Sequence, residues 1–463
     1  MQPSDMQPSQ QPHRARSAGD RPRAASPADP VQTASGPSPD GHARHLTLAQ
    51  GTALYVAAVL GTGVIALPAL AAAAAGPASL LAWVALVALS VPLAGTFAAL
   101  AARHPDSGGV ATYVRRAFGA RAAAVVGWCF FFAIPAGAPA SALFAGDYVA
   151  AAFGGTHTAW ITACVMIAAV AGLNAFGVSV SGRVQLRLSV LLVGLLLLAV
   201  AASAPHARLA NLHPFAPHGW GALERAAALL VWSFAGWEAI THLAGEFRNP
   251  RTDLPRAAGM AVVVVGVLYL AVAGATICVL GMRAATSPAP LAALLSIGIG
   301  GPSPMFAAVA ALLLTFGTMN AYFAGAAKLG AALGRDGALP AWLAHGSQAG
   351  DVPRRSLSVL AGLSLLMLLL SGLGGIDATA LVLLTTGCFT LVYLLGTAAA
   401  LRLLEPRSLA WVGACIALIA VAGLLAASGR YMLWPLLIGC GALAYQRLRP
   451  ARATPPRSVQ GKG

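Results

Sequence analysis

The sequence predicts an all-α integral membrane protein whose helices cross the bilayer twelve times. Three observations carry that expectation. Apolar residues make up 58% of the chain and charged residues only 9%, whereas soluble domains carry about 25% charge. Twelve apolar windows of roughly 20 residues, each long enough to span hydrocarbon as a helix, follow one another between short polar connections. The first and sixth windows are interrupted by glycines near their middles, and they stand five helices apart, at corresponding positions of two halves. Interrupted helices facing opposite ways make the halves inverted repeats, with a binding site between them near the midplane.

Residues 1–45 are rich in Pro, Ser, Gln and Arg and lack an apolar run. They read as a disordered tail with no cleavable signal peptide. The first helix, 47–72, carries Gly61-Thr62-Gly63-Val64-Ile65-Ala66-Leu67-Pro68. Two glycines within three residues and a proline a turn later weaken the backbone ladder where hydrocarbon demands a continuous one. An unwound turn there presents N–H groups at a half-helix N-terminus, which attract a carboxylate. Small residues at this spacing also allow two helices to pack closely, so the segment alone leaves both roles open. The second helix, 78–102, leads into a basic, Gly-rich connection, Arg103 to Gly119, with a short cytoplasmic helix from Ala111. Its Ser107-Gly108-Gly109 is not followed by the Gly-Lys-Ser/Thr of a nucleotide loop. The third helix, 120–152, is long enough to tilt, carries Pro135 and Pro139, and has Asp147 near a wet outer end. The fourth spans 158–178, with Asn174, and the fifth 182–204, with Arg183 and Arg187 near the cytoplasm.

The sixth window, 222–246, organises the chain. Ala235-Gly236 weakens the helix, Glu238 and His242 follow at i and i+4, and Asn249-Pro250 closes the segment. A carboxylate at membrane depth costs roughly 3 kcal/mol and faces a cavity or a partner. Glycine-interrupted apolar segments with an adjacent acid mark transporter binding sites, and a polar pair buried between helices is the alternative. The seventh helix spans 256–282. The eighth, 303–330, offers Thr315, Thr318 and Asn320 as possible substrate or ion contacts, beside Tyr322. Such residues also simply bond across helices, at about 1 kcal/mol or less. Helices nine to twelve span 355–373, 376–402, 408–428 and 430–448, before a basic tail, 449–463.

The net charge of +15 is a topology signal. With a cytoplasmic N-terminus, only Arg208, Arg225, Arg283 and Arg430 of the 29 Lys and Arg lie outside. The positive-inside rule therefore puts both termini in the cytoplasm, and the basic excess does not call for nucleic acid. The six cysteines stand singly in apolar segments, without metal-ligand spacing. No metal or cofactor is expected, and the 14 acids are too scattered for a membrane-embedded enzyme.

The motifs together resemble the amino acid–polyamine–organocation superfamily. These are Gly61 to Pro68, the loop Pro105-Asp106-Ser107-Gly108-Gly109-Val110-Ala111-Thr112-Tyr113, Trp232 to Glu238 followed by Glu246 to Ala257, and Gly334 to Pro340. The resemblance spans about residues 46–448, the transporter domain. Within the superfamily, the sixth-helix segment is similar to that of exporters of L-methionine and branched-chain amino acids. It implies a LeuT-like five-plus-five inverted repeat with two extra helices, and an α-amino acid held between helices 1 and 6 with help from 3, 8 and 10. It implies that Gly61, Thr62, Gly63 and Val64 surround the substrate carboxylate, and that Ser233, Phe234, Ala235 and Gly236 surround its ammonium. It further implies Trp232 as a gate and Glu238 as the proton-responsive acid; His242, four residues on and on the same helical face, is expected from that spacing to share in proton coupling. Relatives with a coupling lysine in helix 5 are not matched here. Without a further mid-membrane charge to pair with, a neutral apolar substrate such as methionine, leucine, isoleucine or valine is expected. The expected protein is a proton-coupled exporter of the inner membrane, monomeric or homodimeric.

Overall fold

The computed structural model describes residues 47–104, 109–177, 182–238, 247, 249–346, 352–374 and 376–448. Both tails, the loop residues 105–108 and His242 lie outside the described residues. The regular elements among the described residues are helices, as segments crossing hydrocarbon must be if their backbone groups are to be satisfied internally. Helix α1 (Leu48–Leu60) opens with a capping box, in which Thr47 Oγ1 accepts from the Gln50 amide and the Gln50 side chain accepts from the Thr47 amide. It ends at Gly61, whose φ of +30° suits glycine, and α2 (Gly63–Ala75) restarts two residues later. There follow α3 (Ser79–Arg103), α4 (Gly109–Phe118), α5 (Ala120–Phe153), α6 (Thr158–Ala175) and α7 (Gly182–Ser203). Next, α8 (Ala222–Leu230) tightens into a 3-10 turn over Val231–Phe234. The second half holds α9 (Pro250–Leu280), α10 (Pro290–Gly298), α11 (Ser303–Arg335), α12 (Arg354–Gly374), α13 (Ala378–Leu403), α14 (Leu409–Ala427) and α15 (Leu433–Leu448).

Nine helical stretches among the described residues are long and apolar enough to cross a membrane. The sequence boundaries need four corrections. Helix α9 begins at Pro250 rather than 256, because proline is welcome in a first turn and the Thr252 and Asp253 amides bond back to Asn249 O. Helix α11 continues to Arg335 rather than 330, since Ala331, Leu333 and Gly334 remain buried. Helix α4 starts at Gly109, two residues before Ala111. The connection after α9 contains a helix that was not expected, α10, whose nine residues are too few to register as a span.

Helix α5 is the central post. It packs against α11, α13, α6, α4, α15 and α12, and its alanines and glycines let those helices approach closely. Large apolar side chains such as Val263, Val267 and Ile419 are instead exposed, as lipid-facing surface requires. At one end of the bundle, Arg115–Asp336 (3.7 Å) and Arg402 Nη1 donating to Ala117 O (2.9 Å) tie α4 to its surroundings, and Arg103–Glu405 (3.2 Å) ties the end of α3 to the segment after α13. The two ion pairs are largely exposed and contribute about 0–1 kcal/mol each.

Gly330 of α11 sits where a Cβ would collide with Ser356 Oγ of α12 and the Phe131 ring of α5. Gly330→Val is expected to cost about 1–3 kcal/mol by overpacking, read as a lower thermal midpoint in detergent. Gly325→Ala, where a Cβ meets nothing within 4 Å, is expected to leave the midpoint unchanged.

Candidate functional site

A helix that stops in hydrocarbon leaves its last carbonyls and the next helix's first amides without partners. At the α1–α2 break, the Tyr269 hydroxyl of α9 donates to Val59 O (2.9 Å). The Tyr148 hydroxyl of α5 donates to Ile65 O (2.8 Å) and accepts from the Leu291 amide of α10 (3.1 Å). The Thr62 side chain does not cap α2; it pairs with Ser141 Oγ of α5 at 3.2 Å. The opening amides of α2 therefore have neither an intrahelical acceptor nor a side-chain cap.

At the second break, the 3-10 turn ends at Phe234 and the chain turns through Ala235 to Glu238. Gly236 adopts φ +122°, and a Cβ there would stand 2.6 Å from Ala58 O, so the two breaks touch backbone to backbone. The Tyr393 hydroxyl of α13 lies 2.8 Å from Phe234 O and 2.6 Å from Glu238 Oε2. The Gly236 amide donates to the same Oε2 at 3.0 Å. Glu238 is 6% exposed.

Between the breaks lies a cavity, partly open to its surroundings, with about 540 Å³ of non-atom space. The first break contributes Gly61, Thr62 and Gly63, and the second contributes Trp232 and Ala235. The rest of the wall comes from α5 (Ile134, Gly137, Ser141), α11 (Thr318, Met319, Tyr322, Phe323) and α13 (Thr385, Phe389). Among the described residues, no Asp, Glu, Lys, Arg or His lines it. The arrangement offers free amides for an anion at one break, carbonyls for a cation at the other, and an apolar and aromatic wall between. A small zwitterion with an uncharged side chain fits those demands.

Of the residues singled out in the sequence, Gly61, Thr62, Gly63, Trp232, Ala235 and Thr318 line this cavity. Thr318 Oγ1 is buried and has no hydrogen-bond partner among the described residues. Val64, Ser233, Phe234 and Gly236 lie beside it without lining it, and the Ser233 hydroxyl donates back to Leu230 O (2.6 Å). Thr315 is fully buried away from the cavity. Asn320 faces α6, where its Oδ1 accepts from Asn174 Nδ2 at 2.7 Å. The sequence did not single out Tyr148, Tyr269, Tyr393 or Ser141. Tyr269 and Tyr393 did carry a signal, because a phenol within an otherwise apolar span needs a buried partner for its hydroxyl.

Residues 46–434 match the family model described as amino acid permease. The chain is 34% identical over 411 residues to the uncharacterized amino acid permease YecA of Bacillus subtilis, covering 88% of this chain and 96% of YecA. It is 33% identical over 431 residues to the L-methionine/branched-chain amino acid exporter YjeH of Escherichia coli, covering 90% of this chain and 99% of YjeH. It is also 29% identical over 240 residues to the branched-chain amino acid permease BcaP of Bacillus subtilis, 48% of this chain and 52% of BcaP.

Tyr269→Phe removes the donor to Val59 O and leaves a buried carbonyl short of a partner. The expected cost is about 1–3 kcal/mol, seen as a lower midpoint in detergent unfolding. An unchanged midpoint would show that the break does not need this bond.

Proposed function

The chain belongs to the amino acid permease family, as a multi-pass membrane protein, and from that premise we propose that it exports neutral, apolar L-amino acids. Methionine, leucine, isoleucine and valine are the substrates, moved by alternating access and coupled to protons. The observation that carries this reading is the cavity between the two breaks, whose lining among the described residues is mostly apolar and carries no charged side chain. A substrate with a charged side chain would be left there unpaired, at a cost of several kcal/mol. The name of YjeH, an exporter of these amino acids, supports the same substrate class and direction.

The opening amides of α2 receive the carboxylate. Three features favour this: the dipole at the α2 N-terminus, the absence of a cap, and the flanking glycines that let a ligand approach the backbone. The ammonium goes to the carbonyls of the second turn, at Phe234 and Ala235. Ile134, Met319, Phe323 and Phe389 surround the apolar side chain. Glu238, buried next to that turn, is the proton-responsive group, and Trp232 is the gate. Twelve crossings, with both halves of helix 1 counted as one crossing, keep both termini in the cytoplasm and account for the placement of Lys and Arg. The membrane is the inner membrane. A second reading, an uptake permease of the same substrate class, is favoured by the name of BcaP. It differs only in direction.

Transport by purified protein in proteoliposomes tests the reading. Leucine and methionine are expected to leave or enter against their gradients when an opposing proton gradient is imposed, while lysine and glutamate are not. A Cβ at Gly63 would stand 2.8 Å from the Trp232 ring, so Gly63→Leu fills the site. It is expected to abolish transport in protein that still inserts, and full transport by this variant would move the site elsewhere. Reporters fused at Ser35 and Thr454 are expected to respond from the cytoplasm only, and labelling of either from the outside would overturn the orientation.

A further inference from the structure

The Tyr393 phenol carries one hydrogen, yet two acceptors lie within hydrogen-bonding reach, Phe234 O at 2.8 Å and Glu238 Oε2 at 2.6 Å. It cannot donate to both. An ionised Glu238 takes the hydrogen, because a charged acceptor binds about twice as strongly as a neutral one. Phe234 O then faces a phenol lone pair. A neutral Glu238 resolves this: its acid hydrogen goes from Oε2 to the Tyr393 oxygen, and Tyr393 donates to Phe234 O. Oε2 meanwhile keeps its bond from the Gly236 amide (3.0 Å). Only the neutral acid fills all three contacts at the distances observed.

The carbonyl at stake is one residue from Ala235, which lines the cavity. Phe234 O already accepts from the Trp237 amide (3.1 Å), so Tyr393 occupies its remaining lone pair. Among the described residues, Tyr55 of α1, Tyr322 of α11 and Tyr393 of α13 are the phenols that interact with Glu238. On its own segment, His242 and Glu246 lie outside the described residues.

We propose that Tyr393 is a single-hydrogen switch that makes a proton on Glu238 and the ammonium of the amino acid compete for the Phe234 carbonyl. The proposal rests on the reading above, in which an amino acid bridges the two breaks. With Glu238 neutral, the Tyr393 hydrogen caps the carbonyl. When Glu238 gives its proton to solvent, the phenol keeps its own hydrogen, rotates it to the carboxylate and frees the carbonyl for the ammonium. No bond of the substrate changes. The sign of coupling follows. Acidification expels the amino acid and alkalinisation admits it, so a proton entering from the acidic side exchanges for an amino acid. Under an inward proton gradient that exchange is export. Tyr393 acts through Phe234 and Glu238 and is a positioning residue.

Leucine binding to the full-length protein in nanodiscs, measured across pH by calorimetry, tests the switch. Wild-type affinity is expected to fall on acidification by about 10- to 100-fold, the worth of one charge-assisted hydrogen bond, with a proton released on binding. Tyr393→Phe keeps Glu238 but cannot cap the carbonyl. Its affinity at acid pH is expected to rise by about tenfold or more toward the alkaline value, flattening the pH profile. A purely structural tyrosine would not give that gain. Glu238→Gln, with no proton to exchange, is expected to be flat as well. A Tyr393→Phe profile that keeps the wild-type pH dependence overturns the switch. So does a wild type that binds leucine equally at every pH, although the transport reading then stands. A wild type that binds no neutral amino acid overturns both. Should Tyr393→Phe not fold, infrared difference spectra of the wild type decide. A protonated-acid band absent from Glu238→Gln is expected to vanish when leucine binds, and its persistence overturns the proposal.

Discussion

Two places where helical backbone stops inside an apolar bundle, after Leu60 and after Phe234, are the constraint on which the rest of this protein depends. Each frees carbonyls and amides that hydrocarbon cannot solvate. The structure answers with phenols. Tyr269, Tyr148 and Tyr393, from α9, α5 and α13, place hydroxyls on Val59 O, Ile65 O and Phe234 O. A phenol suits this work because its ring packs as an apolar group while its tip supplies one directed donor. The carbonyls at the breaks are thereby satisfied, while the opening amides of α2 have no side-chain cap.

The helices around the breaks are chosen for closeness. Gly236 brings the second turn against Ala58 O, and Gly137 of α5 leaves room beside Thr385 of α13. Between them the wall carries hydroxyls and apolar side chains and, among the described residues, no formal charge. Glu238 sits just outside that wall, bonded to Gly236 and Tyr393. A charge inside the cavity would select its counter-charge in the substrate. A charge one layer behind it reaches the cavity only through the groups it bonds, here the Gly236 amide and the Tyr393 hydroxyl.

Much of this was legible in the residues because it follows from local chemistry. Gly61-Thr62-Gly63 with Pro68 cannot sustain a helix economically, and Ala235-Gly236 before Glu238 has the same weakness. The family resemblance and the comparisons reach the same class independently. The start of α9 was misplaced, since proline forbids a helix interior but favours a first turn, and apolar windows do not register that difference. Thr315 and Asn320 stood beside Thr318 in the sequence as equal candidates. Helix rotation separates them: Thr318 faces the cavity, Asn320 meets Asn174, and Thr315 is buried elsewhere.

By itself the sequence determined that the chain lives in a bilayer, where its helices weaken, and that an acid lies beside the second weakness. Those are properties of short stretches, set by transfer free energy and backbone propensity. Tertiary structure alone decided which distant groups complete the breaks. Tyr148, Tyr269 and Tyr393 lie 83, 210 and 159 residues from the carbonyls they reach. A hydrogen bond depends on a few tenths of an ångström and a direction, and no local pattern encodes either. Packing of α5, α9 and α13 around the two breaks supplies both, and with them the single hydrogen shared by Phe234 and Glu238.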